Sequence, residues 1–391
     1  MTRRNRRRSN CLRCIALVLA ALQLSAFAVT TVAPGRDDEV LEVLPAVTRN
    51  RPTRVASAPR IVNPAASALQ ARQDISVARQ TGDTRYWGRA QAELAPWWDQ
   101  PDAPADLAVL QATVQQGRHE FEASRKLLTA VLARVPGDAQ GWLNLAALER
   151  LSARYAAALA ACEAVARAGQ ALYAQACGFE TTSLQGQHAA AAKGLQTLFA
   201  QAANDDQRSW LLSLLAESQE RAGRDTAAAD AYAQSLALEH DLYTAIAYSD
   251  LLLRTGKTQQ ALQVLAPLPE TDAVLLRRAA AWRRTGDTRW TDVRAALRER
   301  FAELVRRGDD PTLHGRESAL IALWLDDDPG GALKVARRNL LLQREPVDWW
   351  VALQSARQAK DILAVGEITQ AIQAAGLVDV RLAVAPKVGK P

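Results

Sequence analysis

Cys162 and Cys177 are the residues whose type and spacing point most directly to covalent chemistry. They stand seven residues before and eight after Gly169. In an antiparallel helical hairpin, residues equidistant from the turn lie at the same height, so the two sulfurs can meet in a disulfide wherever the compartment is oxidising. The plain alternative is a pair of buried thiols packed as small apolar side chains. Other candidate chemistry falls away on inspection. Gly256-Lys257-Thr258 resembles the end of a phosphate-binding loop, but Leu251 stands where that loop needs its first glycine. The histidines His119, His188, His240 and His314 are far apart in sequence, with no cysteine at metal-ligand spacing. Asp326-Asp327-Asp328 precedes Pro329-Gly330-Gly331 without the spaced ligands and closing glutamate of a calcium loop, so a solvated turn is expected. Neither a Gly-x-Ser-x-Gly elbow nor a His-Glu-x-x-His helix occurs. The expectation is a non-enzymatic protein without catalytic residues, metal or cofactor.

Charge narrows the partners. The formal net charge is +6, and Arg3, Arg4, Arg6, Arg7, Arg8 and Arg13 account for all of it, because no acid precedes residue 37. The remaining chain is neutral and offers no general attraction to phosphate backbones, which argues against nucleic acid as a partner. The arginines precede an uncharged stretch from Cys14 to Ala33, with an apolar centre at 15–22 and an Ala26-Phe27-Ala28 end. This order is that of a secretory signal cleaved after Ala28, or of an uncleaved anchor spanning residues 14–33. Cys11 and Cys14 lie before the apolar run, on the wrong side for lipid attachment. The body is expected in the periplasm, either soluble or tethered to the inner membrane through its N-terminal segment alone.

Residues 29–65 carry Pro34, Pro45, Pro52, Pro59 and Pro64 and read as an extended tether. From residue 66 to 380 the chain becomes runs of Ala, Leu, Arg, Gln and Glu, interrupted by Gly, Asp or Pro, which predicts an all-α domain; 381–391 reads as a flexible tail. Turn residues fall at Gly82, Gly117, Ala153, Gly186, Gly223, Gly256 and Gly286, at a mean interval of 34 residues. Thr-Gly-Asp-Thr-Arg occurs at both 81–85 and 285–289. Five residues after four of these turns stand Ala158, Ala191, Ala228 and Ala261, and four further on stand Cys162, Leu195, Tyr232 and Leu265. Eight before the turn are Leu145, Leu215 and Tyr248, each followed by a small residue. Small beside large at this spacing lets paired helices approach closely.

With these residues the chain resembles the tetratricopeptide repeat family, most plainly over 140–165 and 212–236 and more loosely over 70–375. Seven or eight repeats are counted. Trp87 and Thr291 depart from the expected small residue, and 289–307 reads as one longer helix. The resemblance implies an α-solenoid, a right-handed superhelix whose concave face is lined by first helices. It places Tyr173, Glu180, Trp210, Glu217, Glu220, Arg221, Tyr243, Asp250 and Arg254 in the partner-binding groove. Leu143, Ser213 and Ile246 stand where chaperone-binding relatives clamp a terminal carboxylate with asparagine and lysine, which disfavours a receptor for C-terminal tails. The expected function is a scaffold or adaptor for a protein of the cell envelope. An assembly factor for exported polysaccharide is the alternative, and the helical part of a peptidoglycan-acting enzyme a remote third.

Overall fold

The computed structural model describes residues 63–383 except 309; the expected signal segment, nearly all of the tether and most of the tail lie outside the described residues. Those residues contain eighteen α-helices and no strand. The helices run in antiparallel pairs: α1 (Pro64–Thr81) with α2 (Arg85–Leu94), α3 (Ala105–Gly117) with α4 (Phe121–Arg134), and α5 (Ala139–Leu151) with α6 (Tyr155–Arg167). Then come α7 (Ala171–Leu184) with α8 (His188–Gln201), α9 (Asp205–Arg221) with α10 (Asp225–Leu238), and α11 (Leu242–Arg254) with α12 (Thr258–Leu265). The last three pairs are α13 (Asp272–Thr285) with α14 (Arg289–Arg306), α15 (Gly315–Trp324) with α16 (Pro329–Leu342), and α17 (Pro346–Gln358) with α18 (Ile362–Ala374).

The alanine positions explain the pairing. Ala158, Ala191, Ala228 and Ala261 are fully buried, and Cys162, Leu195, Tyr232 and Leu265 beside them are nearly so. Ala146, Ala216 and Ser249 close the other side with no exposed surface. Small side chains at the crossing bring the backbones together, and the large neighbours then fill the space between pairs. Helix starts are fixed locally: the side chains of Asn63, Asp138, Asn204, Asp241, Thr271, Asp328 and Asp361 each accept a backbone N–H of the first turn.

Nine pairs are present where seven or eight were expected. Within each pair the chain reverses through a residue of positive φ: Gly82, His119, Ala153, Gly186, Gly223, Gly256, Gly286, Asp327 and Lys360. The last two carry side chains, so a search guided by glycine passes over them; aspartate tolerates the left-handed region better than most residues. The second turn is displaced from its expected place. Gly117 is the last residue of α3, and the left-handed residue is His119. Gly117 serves packing instead, since a Cβ there would lie 2.4 Å from the Trp87 ring. The bulk of Trp87, out of pattern in its own pair, is thus received by a glycine of the next. The long helix expected at 289–307 is α14. Packing also continues past residue 380: Val380–Leu382 form a 3-10 turn with Leu382 buried, so the expected tail begins inside the folded body.

The superhelix meets itself after six pairs. The turn of the first pair, Gly82, packs on Thr271 and Leu242, at the entries to α13 and α11. In the second, His119 Nδ1 lies 2.5 Å from the Leu313 carbonyl oxygen, just before α15. Arg344 N–H, just before α17, donates to the carbonyl of Leu151 in the third pair at 2.7 Å. Val378 N–H, after α18, donates to the carbonyl of Leu184 in the fourth at 2.9 Å. From the first pair to the fourth, each turn therefore touches the segment entering, or replacing, the sixth pair further on. Val378 and Val380 lie over Gly186 and Gly223, where a side chain would crowd them.

Candidate functional site

The first helices of the pairs, α5, α7, α9, α11, α13, α15 and α17, line the inside of this closed turn. Two adjoining cavities of about 310 and 540 Å³ share Arg150, Glu180, Glu217 and Tyr243 in their walls, so they form one trough. A third hollow lies beside Trp324 and Trp350. All nine residues expected at the groove line one or more of these spaces. Tyr173 and Trp210 line the larger cavity; Glu180, Glu217 and Tyr243 line both; Glu220, Arg221 and Asp250 line the smaller; Arg254 lines the third hollow.

Most of the charged residues are committed to the wall itself. Arg150 on α5 pairs with Glu180 on α7 at 2.9 Å. Arg254 on α11 pairs with Glu220 on α9 at 3.2 Å and with Asp225 at 2.6 Å. Arg277 on α13 grips both oxygens of Asp250 on α11, at 2.8 and 2.7 Å. Arg316 on α15 reaches both oxygens of Asp348 on α17, at 2.7 and 2.8 Å, and Glu345 at 2.5 Å. Arg221 donates to Ser183 on α7 at 3.2 and 3.3 Å and to Glu217 at 3.4 Å. Consecutive first helices are thereby stapled by arginine, and Glu220 and Arg221 are buried rather than presented to solvent. Arg381, from the segment after α18, completes the set by pairing with Glu220 at 2.9 Å and Asp379 at 2.5 Å.

The groups that remain open are few and polar-aromatic. Tyr243 is 61% exposed, and its hydroxyl donates to Glu217 Oε1 at 2.6 Å. Enclosure by the wall raises the Glu217 carboxyl above the usual range, with Arg221 and the Tyr243 hydroxyl opposing; Glu217 in turn raises the Tyr243 phenol. Tyr173 and Trp210 lean on one another, ring centroids 5.5 Å apart, and Gln207 donates to the Tyr173 hydroxyl at 3.0 Å. Asp225 is held below the ordinary carboxylate range by its hydrogen bond from Arg254.

Sequence reasoning did not find Arg150, Arg277, Arg316, Glu345, Asp348 or Arg381. A signal was available: acid and base recur in the first helices at close to the repeat period, as in Arg150 with Glu180 and Arg316 with Asp348. His119 and His314, distant in sequence, come together with ring centroids 6.3 Å apart across the seam, beside Phe121 and Phe301. Cys162 and Cys177 are joined by a disulfide, with Cα atoms 5.6 Å apart, linking α6 to α7. Asp326 pairs with Arg294 and Arg298, Asp327 with Arg283, and Asp328 caps α16, so the acidic run is engaged by protein groups. Gly256-Lys257-Thr258 forms the turn between two helices, α11 and α12.

Paired helices, left-handed reversals and a first-helix inner wall define a tetratricopeptide-like α-solenoid. No family model matches the sequence, and no curated protein matches it. Among solved structures, a Rap protein complexed with competence and sporulation factor is similar at a TM-score of 0.53 and 8% identity, covering 82% of this chain and 88% of that one. The human IFIT1 dimer with PPP-AAAA gives 0.47 at 9% identity, covering 80% of this chain and 72% of that one. A tetratricopeptide repeat protein from Parabacteroides merdae ATCC 43184 gives 0.29 at 11% identity, over 79% and 99% of the two chains. At such identities the likeness speaks for the fold alone.

Proposed function

We propose that the protein is a non-enzymatic scaffold that holds an extended polypeptide along its inner wall, on the periplasmic side of a cell envelope. The observation that carries this reading is the continuous trough between α5 and α17, lined by aromatic residues interleaved with hydrogen-bonding groups. Such a trough suits a chain laid across successive helices better than a compact substrate. The Rap structure, of the same fold, is of a complex with competence and sporulation factor, which agrees with a binding role for such a fold. Against the polysaccharide alternative, Tyr173 and Trp210 lean on each other, leaving Tyr243 as the freest platform for a sugar ring. The groove is tested by screening a library of fluorescent peptides against the full chain. Tyr243→Ala is expected to weaken the selected peptides by about 1–2 kcal/mol with helicity unchanged, as for an anchoring aromatic at an interface. Unchanged affinity would remove Tyr243 from the groove's function.

The periplasmic part of the reading rests on the order of arginines, apolar run and Ala-Phe-Ala in residues 1–28. Fusion of this segment to a reporter active only outside the cytoplasm is expected to give activity. An inactive, stably expressed fusion would place the protein elsewhere.

A further inference from the structure

The third hollow differs in character from the trough. Leu253, Leu320 and Val347 join Trp324 and Trp350 in its wall, the two indoles meeting edge to face with centroids 6.3 Å apart. Five charged residues also border it: Glu220, Asp250, Arg254, Arg284 and Arg381. Four of the five are matched. Asp250 is held by Arg277, Glu220 by Arg254 and Arg381, Arg254 also by Asp225, and Arg381 also by Asp379. Arg284 is the exception among the described residues. It gives one Nη1 hydrogen bond to the Leu253 carbonyl oxygen and meets no carboxylate. Burial lowers its pKa from the usual arginine value, with only the neighbouring Asp250 opposing. A partly desolvated guanidinium with free donors, set against an aromatic wall, is a site for a planar anion.

We propose that this slot binds a carboxylate carried next to a flat apolar group, the carboxylate on Arg284 and the apolar group against Trp324 and Trp350. Glu220 and Asp250 do not close the site to an anion, because Asp250 is already held by the Arg277 fork and Glu220 by Arg254 and Arg381 together. Leu253, Leu320 and Val347 keep water from competing for the apolar portion. The same chemistry is offered by a free aromatic acid and by a peptide ending in an aromatic residue. This proposal does not depend on the trough holding a polypeptide, since the slot has its own walls and its own cation.

Ligand-observed NMR on the full chain tests the proposal with phenylacetate, phenylacetamide and acetate as probes. Phenylacetate is expected to bind at least about tenfold more tightly than phenylacetamide, which keeps the ring and lacks the charge, and acetate is expected to be weaker than both. Arg284→Gln, a change that breaks no ion pair among the described residues, is expected to reduce phenylacetate to the level of the amide while circular dichroism stays unchanged. A second arm sets acetyl-Gly-Gly-Phe with a free carboxylate against its C-terminal amide. Displacement of phenylacetate by the free peptide alone would assign the slot to a chain end, and binding of phenylacetate without displacement would assign it to a small acid. Equal binding of phenylacetate and phenylacetamide, an unaffected Arg284→Gln variant, or no binding by either phenylacetate or the peptide would overturn the proposal.

Discussion

His119 illustrates how much one residue carries at the seam. It adopts φ +62°, stacks on Phe121, approaches His314 and places Nδ1 against the Leu313 carbonyl oxygen, which calls for the tautomer protonated at Nδ1. Burial lowers its pKa, with the Leu313 carbonyl and Glu317 opposing and the nearby His314 and Arg316 adding to the shift. An unfolded chain therefore binds the proton more readily than the folded one. Its contribution to stability is fully present above the ordinary histidine value and is lost as pH falls through that value towards the folded pKa. His188, also lowered by burial, adds to the same loss. Melting temperature is expected to fall between about pH 7.5 and 5, and His119→Asn, which tolerates the left-handed conformation, should flatten that slope without abolishing it. Parallel profiles for the two proteins would remove His119 from the seam's pH response. Nothing in the sequence pairs His119 with His314, because their neighbourhood arises only when the superhelix completes a turn.

The helix pair is where the sequence was most legible. Ala158, Ala191, Ala228 and Ala261 and their large neighbours are governed by contacts inside one pair or with the next, which recur at a fixed period and so leave a readable pattern. The disulfide follows the same local logic, since Gly169 sets α6 and α7 antiparallel and brings Cys162 and Cys177 to one height. Closing a loop of this length should stabilise the array by about 3 kcal/mol in the chain-entropy model, less any strain. Reduction, or the double replacement by serine, is expected to lower the melting temperature while leaving the helical signal intact. Thiol labelling of the denatured, unreduced protein purified from the exported fraction, read by peptide mapping, should find neither Cys162 nor Cys177; labelling of both would mean that the pair is only buried there. Less legible were the pairs reversing at Asp327 and Lys360, whose left-handed residues lack the glycine signature. Gly117 misled for the opposite reason, being a glycine kept for the Trp87 ring rather than for the turn.

At the scale of the whole molecule, contacts six pairs apart decide what the interior can hold. The groove residues were placed from the repeat register, and the structure does put all nine on the trough or the adjoining hollow. Their electrostatic roles were not legible, because Glu220, Arg221, Asp250 and Arg254 find partners on neighbouring helices or on the segment carrying Arg381. A body with as many acids as bases is consistent with a wall that neutralises itself and offers shape, aromatic surface and a few polar groups to its occupant. The most direct test of that account is site-specific photo-crosslinking in the native host, with a photoreactive phenylalanine in place of Tyr243 inside the trough or of Leu341 on the exposed outer surface. The account predicts that Tyr243 captures a discrete polypeptide whose crosslinked residues form one extended segment, and that Leu341 does not. Capture of the same segment from Leu341 alone, or a protease-resistant polysaccharide adduct at Tyr243, would contradict it.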